Sequence, residues 1–410
     1  MLWRFGIGFI SISFRLTKLC KMRKKISVLT ITSLFPNSKD AMHGIFVKER
    51  MSRVAKLCNV KVIAPIPWFP LVRQTKVPFR EKIENLEVYH PKFFSFPGIF
   101  KSLDGLFFYL STSNLAKKLN QKYDFDLIDT HFAYPDGVGS VFLAKMLKKP
   151  VALTIRGSDI TALPKSLFRR IQIRWALKNS DQVISVCGAL KDEAKNQGAS
   201  ADFVIIPNGV DSKKFKPIDK FFARKKLNLP WDKKIVVAVG ENFKRKGFFE
   251  LVKSFEVMAK TNNNLILVIV GFDKKSFKKL NRLVEELNLS SSVLLTGRKA
   301  HNEVLLYLNA CDVYCLPSYR EGWPNSVMEA LSCGKPVVAT SVFGIPDIIK
   351  SPVYGILIDK PGDIDKLASA LKTTLNKEWN SKKIRAYAKT MTWEKTAKQV
   401  YEVFQEIAKR

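Results

Sequence analysis

The sequence predicts an α/β protein built from two doubly wound, Rossmann-like domains. Its 410 residues are enough for two domains of ordinary size. Continuous runs of Val, Ile and Leu alternate with helix-like stretches, which is typical of parallel strands that are buried on both faces of a sheet. The alternation stops near residue 210 and then begins again. We therefore expect one parallel sheet in each half of the chain, covered by helices on both faces.

The predicted strands share this continuous apolar character. In the first half they are Ile26–Thr32, Val60–Ala64, Asp126–Thr130, Val151–Ile155, Gln182–Val186 and Phe203–Ile206. In the second half they are Ile235–Gly240, Leu265–Val270, Val293–Leu295, Asp312–Leu316 and Pro336–Thr340. Residues 392–410 predict an amphipathic helix, because apolar side chains recur there at three- and four-residue spacing. The expected division is an extension at 1–21, domains at 22–210 and 211–391, and a helix at 392–410 that ties the domains together.

The extension contains one apolar run, Phe5–Phe14 (FGIGFISISF). That run is too short to span a bilayer, which needs about 20 residues. It lacks a small-residue cleavage site and is followed by positive charge, so we do not expect a signal peptide. Met22 opens MRKKISVLTITS, a natural start for a first buried strand. We expect residues 1–21 to be dispensable or misassigned, with a weak membrane-contacting segment as the alternative.

Composition and charge limit the class of protein. Apolar residues make up 46% and charged residues 26%, which excludes disordered and fibrous proteins. The 69 basic and 36 acidic residues give a net charge of +33, which favours a nucleic acid, an anionic membrane or phosphorylated small molecules as partners. A generally Lys-rich composition is the alternative explanation. The six cysteines form no C-x-x-C pair, so we expect buried free thiols in a reducing cytosol.

The most informative segment follows the predicted strand that ends at Leu316. There a loop containing EGWPN leads into a helix that begins near Ser326. The free backbone N–H groups at the start of a helix bind anions and hydroxyl oxygens. Glu321 precedes this helix and Glu329 lies inside it, so that both carboxylates can face one ligand. A carboxylate accepts hydrogen bonds from neighbouring hydroxyls, which suits a sugar diol.

The segment EGWPNSVMEALSCGKPVVAT resembles the retaining glycosyltransferases of family 4, which have the GT-B fold of two Rossmann-like domains facing a central cleft. The resemblance extends over nearly the whole chain from Met22 onward. It implies that Glu321 contacts the donor hexose as a catalytic residue and that Glu329 binds the ribose of the nucleotide. The implied donor-binding residues of the loop between them are Gly322, Trp323, Pro324, Asn325 and Ser326. A solvated pair of helix glutamates would explain the bare spacing, but not the loop and the segment that follows it.

A second match is VGENFKRKG at residues 239–247, directly after the first strand of the second domain. It resembles the strand and loop that bind the donor diphosphate with an Arg and a Lys in this family. Lys246 matches the family lysine, whereas Glu241 stands where the family often has arginine. Arg245 or Lys244 is the expected substitute cation. A solvated basic turn is the alternative reading, and a G-x-G-x-x-G dinucleotide motif is absent.

Two first-half segments follow predicted strands, where ligands bind in open α/β sheets. His131 opens HFAYPDG and resembles the family histidine near the donor sugar, which implies a catalytic role. A structural histidine is the alternative. Asp159 lies in a turn (RGSD) that resembles the family's G-x-D turn, and it either faces the cleft or caps the following helix.

Three further positions match the family on shorter motifs. Gly44 matches a glycine in the loop entering the first helix, where a missing side chain lets the backbone approach a ligand. Asn208 lies in the NGVD turn at the end of the first domain and is either a ligand contact or part of a plain turn. Arg298 follows the strand Val293–Leu295 in the region that corresponds to the nucleobase contact.

The first domain also contains two aromatic stretches on the expected acceptor side. Residues 93–109 contain Phe93 and six further Phe and Tyr side chains, seven in all. Residues 165–178 (KSLFRRIQIRWALK) mix arginines with Phe168 and Trp175. A basic and aromatic surface suits docking on anionic lipid. An ordinary helix that covers the sheet is the alternative for the second stretch.

The resemblance implies a metal-independent, retaining hexosyltransferase without a cofactor. Its donor is a nucleoside diphosphate sugar bound mainly by the second domain, and its acceptor is a glycan or lipid-linked molecule bound by the first. We expect a role in cell-surface polysaccharide or glycolipid synthesis, at the inner face of the cytoplasmic membrane, without nucleic acid. The alternatives are a non-catalytic anionic-surface binding protein on this fold and a GT-B-like sugar-nucleotide epimerase.

Overall fold

The computed structural model describes residues 25–72 and 76–409. The strands are β1 (Ser27–Ile31), β2 (Asn59–Ile63), β3 (Ile66–Trp68), β4 (Arg80–Ile83), β5 (Leu86–Tyr89), β6 (Lys92–Phe94), β7 (Leu127–His131), β8 (Val151–Ile155), β9 (Gln182–Ser185), β10 (Phe203–Ile205), β11 (Lys234–Val239), β12 (Leu265–Val270), β13 (Val293–Leu295), β14 (Val313–Leu316), β15 (Val337–Thr340) and β16 (Gly355–Ile358). The helices are α1 (Ile45–Val54), α2 (Asp104–Tyr123), α3 (Val138–Leu147), α4 (Ser158–Thr161), α5 (Leu167–Lys178), α6 (Gly188–Asn196), α7 (Lys220–Lys226), α8 (Phe248–Ala259), α9 (Phe277–Glu286), α10 (His301–Ala310), α11 (Asn325–Ser332), α12 (Ile345–Ile348), α13 (Ile364–Asn376), α14 (Ser381–Ala388) and α15 (Trp393–Ile407). Irregular helical turns lie at Lys101–Leu103, Ala133–Gly137 and Leu163–Lys165.

Two large sheets organise the described chain. The first has the order β10-β9-β8-β7-β1-β2-β5-β4, and the second has the order β13-β12-β11-β14-β15-β16. All pairs are parallel except β4 with β5. The first strand of each sheet in chain order, β1 or β11, lies in the interior of the sheet, and later strands lie on both sides of it. This is the doubly wound topology that the sequence predicts. In such sheets, ligands bind beyond the carboxyl ends of the strands near the switch point.

The central strands are the ones that the sequence predicts most accurately. Every residue of β1, β7 and β8 is buried, which explains their unbroken apolar character. The structure ends β7 at His131, one residue beyond the predicted strand. The sequence analysis missed β3 to β6 and β16, because these strands are only three or four residues long and most are partly exposed. The last strand of the first sheet ends at Ile205, and the first strand of the second sheet begins at Lys234.

Helix α15 returns to the first half of the molecule. The Thr392 side chain accepts a hydrogen bond from the backbone N–H of Lys395 and thereby caps the start of the helix. The buried side chains Val400, Phe404 and Ile407 pack in the same hydrophobic cluster as Val47 and Met51 of α1. The apolar spacing in the sequence therefore marks the face that covers the first sheet.

Several expectations concern features outside the two sheets. The predicted extension at 1–21 lies outside the described residues. Cys58, Cys187, Cys311, Cys315 and Cys333 are free and buried, as expected, whereas Cys20 lies outside the described part. Within residues 25–72 and 76–409, no helix is both long enough and apolar enough to cross a membrane. The same residues contain no group of three His, Cys, Asp or Glu side chains placed to hold a metal ion.

Candidate active site between the two sheets

The loops at the carboxyl ends of β8 and β14 meet across a cleft. Gly322, after β14, packs directly against the backbone of Arg156 and Gly157, after β8. A Cβ atom at Gly322 would lie 1.8 Å from the carbonyl oxygen of Arg156, so no larger residue fits without moving a loop. Arg320 also crosses the cleft, because its NH1 donates a hydrogen bond to the carbonyl oxygen of Thr161 at 3.2 Å. The site therefore consists of loops from both sheets.

Glu321 lies at the centre of a buried charged cluster. Its Oε1 accepts hydrogen bonds from Lys246 Nζ at 2.6 Å, from Ser318 Oγ at 2.7 Å and from Arg245 NH1 at 3.2 Å. Burial raises the pKa of Glu321, but the charges of Lys246 and Arg245 outweigh it and hold that pKa below its ordinary value. All of these contacts fall on Oε1. Among the described residues, Oε2 has no hydrogen-bond or ion-pair partner, so it is the oxygen available to a ligand. The carboxylate is therefore ionised and fixed in direction.

The three basic residues of the VGENFKRKG turn differ in their surroundings. Lys246 is buried, which lowers the pKa of its ammonium group even though Glu321 opposes that shift. Arg245 is one-third exposed and also donates a hydrogen bond from NH1 to the carbonyl oxygen of Arg320 at 2.8 Å. Lys244 is exposed. The structure thus brings Lys246 and Arg245, but not Lys244, against Glu321.

Glu241, which stands where the family often has arginine, forms an ion pair within the cleft. Its Oε1 lies 2.7 Å from NH2 of Arg298, and both side chains are about half exposed. NH1 of Arg298 lies 3.9 Å from Oδ1 of Asp40, which belongs to the loop after β1. Glu241 and Arg298 line a cavity of about 390 Å³. The negative charge of Glu241 is therefore paired with Arg298, the residue that was expected near the nucleobase.

Gly44 lines the same cavity, directly before α1. Its φ angle is 61°, and a Cβ there would lie 2.2 Å from the carbonyl carbon and oxygen of Leu34. Only glycine combines this conformation with such a close approach of two backbone segments. The residue therefore lets α1 begin at the edge of the cavity.

His131 does not reach the cleft in this structure. The side chain is fully buried, with Nδ1 3.0 Å from NH2 of Arg156 and Nε2 3.1 Å from a carboxylate oxygen of Asp129. Because a guanidinium group only donates, Nδ1 must accept and the ring proton must sit on Nε2. Burial lowers the pKa of His131 to about 4, which keeps the ring neutral. The contact of the ring with Arg156 suits a positioning role, and the expected contact with the donor sugar stays a prediction.

Arg156 and Asn208 continue from His131 towards the second sheet. NH1 of Arg156 donates a hydrogen bond to Oδ1 of Asn208 at 3.1 Å. Nδ2 of Asn208 in turn donates to Oδ1 of Asn325 at 3.2 Å, at the first residue of α11. Asn208 is therefore more than part of a plain turn, because its side chain joins the two halves beside the predicted donor loop.

Asp159 is a structural acceptor. Its carboxylate accepts hydrogen bonds from the backbone N–H groups of Ala133 at 3.0 Å and Gly157 at 2.7 Å, and also from that of Arg156. Burial raises the pKa of this carboxyl group, and these hydrogen bonds oppose the shift. Asp159 lies inside α4, which has no side-chain cap, so it does not cap this helix as the alternative proposed. Its buried carboxylate instead fixes the loops that follow β7 and β8.

Glu329 has a partner that the sequence analysis missed. Its Oε1 lies 2.8 Å from Nε2 of His301, and Nδ1 of His301 lies 3.0 Å from Nζ of Lys214. A lysine ammonium only donates, so Nδ1 accepts and Nε2 donates its proton to Glu329. His301 begins α10 shortly after the carboxyl end of β13. This position near a strand end is the sequence signal that could have identified His301 as a candidate site residue. The residue belongs to no recognisable motif.

The remaining residues of the donor loop surround the start of α11. Pro324 precedes the helix, and Ser326 Oγ accepts a hydrogen bond from the hydroxyl of Tyr314 at 2.7 Å. Trp323 is nearly buried, and its Nε1 has no hydrogen-bond partner among the described residues. Together with Gly322 it lines a second cavity, of about 280 Å³, beside Glu321. Pro324 and Ser326 therefore shape the loop, whereas the indole N–H of Trp323 is buried without a partner in the described part of the chain.

The aromatic stretch after β6 is divided between core and surface. Phe93 and Phe108 are buried and pack edge to face. Phe100 is 61% exposed, and Phe168 at the start of α5 is 69% exposed. Nε2 of Gln172 in α5 donates a hydrogen bond to the carbonyl oxygen of Ser102, which places the two exposed regions side by side. We call this the aromatic-basic surface, and it comprises Ile99, Phe100, Leu103, Leu167, Phe168, Arg170, Ile171 and Arg174.

Comparison with known proteins gives matches along both halves. Residues 47–214 match the model of Glycosyltransferase Family 4, and residues 219–409 match that of Glycosyl transferases group 1. A putative teichuronic acid biosynthesis glycosyltransferase of Bacillus subtilis is 29% identical over 84% of this chain and 88% of its own. The N-acetyl-alpha-D-glucosaminyl L-malate synthase of Bacillus anthracis is 25% identical over 64% of this chain and 70% of its own. These relatives favour a transferase over a binding protein or an epimerase.

Solved structures share the fold. Sucrose-phosphate synthase from Thermosynechococcus elongatus superposes with a TM-score of 0.75 at 22% identity, over 93% of this chain and 99% of that one. Anabaena HepE, solved in complex with UDP and glucose, gives 0.70 at 18% identity, over 93% and 100%. The expected GT-B fold is confirmed by these neighbours.

Proposed function

Because this chain belongs to the family 4 glycosyltransferases, we propose that it transfers a hexose from a nucleoside diphosphate sugar to a glycan or lipid-linked acceptor with retention of configuration. The product would serve cell-surface polysaccharide or glycolipid synthesis. The observation that carries the proposal is the fixed carboxylate of Glu321, which accepts hydrogen bonds from Lys246 and Arg245 in the cleft. A complex of the similar HepE with UDP and glucose supports a nucleotide-sugar donor.

The roles of the residues follow from their positions. The free Oε2 of Glu321 would bind hydroxyls of the donor hexose, and the Glu329 carboxylate would bind the ribose. Lys246 and Arg245 would bind the diphosphate and stabilise the charge that develops on it when it leaves. We propose that these cations act without a metal ion or a cofactor. His131 would hold Arg156 in place through the contact between its Nδ1 and that guanidinium.

The proposed reaction takes place on one face of the sugar. The bond between the anomeric carbon and the diphosphate oxygen breaks, and its electron pair stays with the diphosphate. The acceptor oxygen forms the new bond on the same face, and its proton passes to the leaving phosphate oxygen. Glu321 would orient the sugar and stabilise its developing positive charge, without forming a covalent bond.

A donor panel tests the proposal. The protein is incubated with nucleoside diphosphate sugars that differ in base and hexose, with and without lipid-linked acceptors, and release of nucleoside diphosphate is measured. We expect release from at least one hexose donor and its loss in Glu321→Gln, while Glu286→Gln, at an exposed position of α9, keeps it. NMR of the product reports the anomer. No release from any donor, or an inverted product, would contradict the proposal.

The aromatic-basic surface supports a peripheral location at the inner face of the cytoplasmic membrane. Its exposed Phe100 and Phe168 are flanked by the exposed arginines Arg170 and Arg174. Aromatic side chains partition into the headgroup region, and the arginines are attracted by anionic lipids. The surface lies next to loops of the cleft, because α5 follows α4 and the turn at Leu163–Lys165. A lipid-linked acceptor would therefore reach the site from the membrane.

A further inference from the structure

The second cavity, beside Glu321, has a strongly basic lining. Its charged residues are three arginines, Arg156, Arg245 and Arg320, and one carboxylate, Glu321. The apolar part of the lining includes Phe132 and Trp323. The arginines outnumber the carboxylate, so the cavity favours an anionic occupant.

Most of these charges already have partners. Glu321 accepts hydrogen bonds from Lys246 and Arg245. The guanidinium of Arg156 donates to Asn208 and to His131, whose neighbour Asp129 is ionised. These contacts account for every charged residue of the lining except Arg320.

Arg320 has no counter-ion among the described residues. Its one hydrogen bond goes to the neutral carbonyl of Thr161, at 3.2 Å, and no carboxylate lies within 4.0 Å of its nitrogen atoms. A guanidinium has five donors in a planar fork that matches a phosphate or a carboxylate. Most of that donor capacity is left for a ligand.

The place of Arg320 points to the acceptor rather than the donor. Its guanidinium reaches across the cleft to the first half of the molecule, where Thr161 and the exposed Ser158 line the same cavity. The segment from 161 to 167 then runs directly into α5 and the aromatic-basic surface. Arg245 lines the same cavity but is paired with Glu321 and is assigned, with Lys246, to the donor diphosphate. Arg320, in contrast, lies against the first half and has no such partner in the part of the chain that the structure describes.

We propose that the acceptor carries an anionic group, a phosphate or a carboxylate, next to the sugar that receives the hexose, and that Arg320 binds this group. The inference rests on the proposed function, because it assumes that the cavity holds the acceptor. Arg320 is then a specificity residue, which selects charged acceptors over neutral ones of the same shape.

Three matched probes test this inference: methyl glucoside 6-phosphate, methyl glucuronoside and neutral methyl glucoside. Their dissociation constants are measured by NMR titration, with the protein saturated by the nucleoside diphosphate of its best donor. We expect the anionic probes to bind about tenfold or more tightly than the neutral one, since hydrogen bonds to charged groups are the strong ones. The order of the two anionic probes distinguishes a phosphate from a carboxylate.

Substitutions assign the preference to a residue. Arg320→Gln should remove it, Arg320→Lys should retain part of it, and Arg282→Gln, on the exposed side of α9, should leave it unchanged. Equal binding of the three probes, no binding of any probe, or a preference that survives Arg320→Gln would overturn the inference. Donor hydrolysis by the same preparations reports on the proposed function separately. Hydrolysis without an anion preference would therefore reject the role of Arg320 alone.

Discussion

His301 Nε2 donates a hydrogen bond to Glu329 Oε1 at 2.8 Å, and the two residues lie on different helices of the second half. Lys214 Nζ lies 3.0 Å from the other ring nitrogen of His301. This chain of three side chains fixes one oxygen of the carboxylate, and we assign the other to the proposed contact with a ribose hydroxyl. The affinity for the nucleotide should therefore depend on both Glu329 and the residue that orients it.

Glu329→Ala is expected to weaken binding of the nucleoside diphosphate by about 1.5–3 kcal/mol, because hydrogen bonds to a charged acceptor are lost. His301→Ala should weaken binding less and should add little in the Glu329→Ala background, since it acts through Glu329. Isothermal titration calorimetry on the two single variants and the double variant measures this coupling. Unchanged affinity in Glu329→Ala, or fully additive losses, would contradict the assignment.

The proposed contact of Lys246 and Arg245 with the diphosphate gives a second prediction. Lys246→Ala and Arg245→Ala should each lower donor affinity and turnover together, because each cation acts on both the bound donor and the departing diphosphate. Lys244→Ala should change either value least, since that side chain is exposed and away from Glu321. Donor binding and turnover are compared with those of Glu241→Arg. If Arg245→Ala is silent and Glu241→Arg raises activity, Arg245 has not replaced the family arginine.

The buried His131 predicts a pH dependence of stability. Burial lowers its pKa to about 4 in the folded protein, whereas the unfolded chain titrates near its ordinary value of 6.5. The unfolded state therefore binds the proton first as pH falls from about 6.5 to about 4, and the free energy of unfolding decreases by up to about 3 kcal/mol from this group. Denaturant unfolding at several pH values should show that the free energy of unfolding falls less steeply with decreasing pH in His131→Gln than in the unsubstituted protein. If it falls equally in the two proteins, His131 is not the source of this pH dependence.

The aromatic-basic surface predicts salt-dependent membrane binding. The protein should sediment with vesicles that contain phosphatidylglycerol and should dissociate as salt is added, because screening acts over about 8 Å at physiological ionic strength. Phe168→Ser should weaken sedimentation, while Phe221→Ser, at an equally exposed position on α7, should not. Equal binding to neutral vesicles, or none to anionic ones, would reject a charge-driven role.

The sequence predicted the parts of the site that depend on local pattern. Short segments of sequence were enough to predict the buried central strands, the EGWPN loop and the lysine of the VGENFKRKG turn. Lys246 was assigned from its motif alone, and the structure places it 2.6 Å from Glu321. Glu241 was noted only as a departure from the family pattern, and the structure pairs it with Arg298.

The parts that the sequence did not predict depend on distant contacts. His301 is a single histidine in a segment without a motif, and only the fold brings it to Glu329. The surroundings of His131 depend on Asp129 and on Arg156, which follows the neighbouring strand β8. Short strands such as β3 and β6 have too few residues to show a period.

The packing of α15 has a consequence for biosynthesis. Val400, Phe404 and Ile407 complete the cluster around Val47 and Met51, so that the first half leaves the ribosome with part of its core uncovered. A chain that ends at residue 392 should therefore bind the dye ANS and be cleaved rapidly by protease, whereas normal resistance would show that the first half is complete without the helix. At 5–20 residues per second, synthesis of residues 206–392 takes roughly ten to forty seconds. During that interval the face of the first half that α15 covers has no helix against it, and its core is complete only once Trp393–Ile407 has been made.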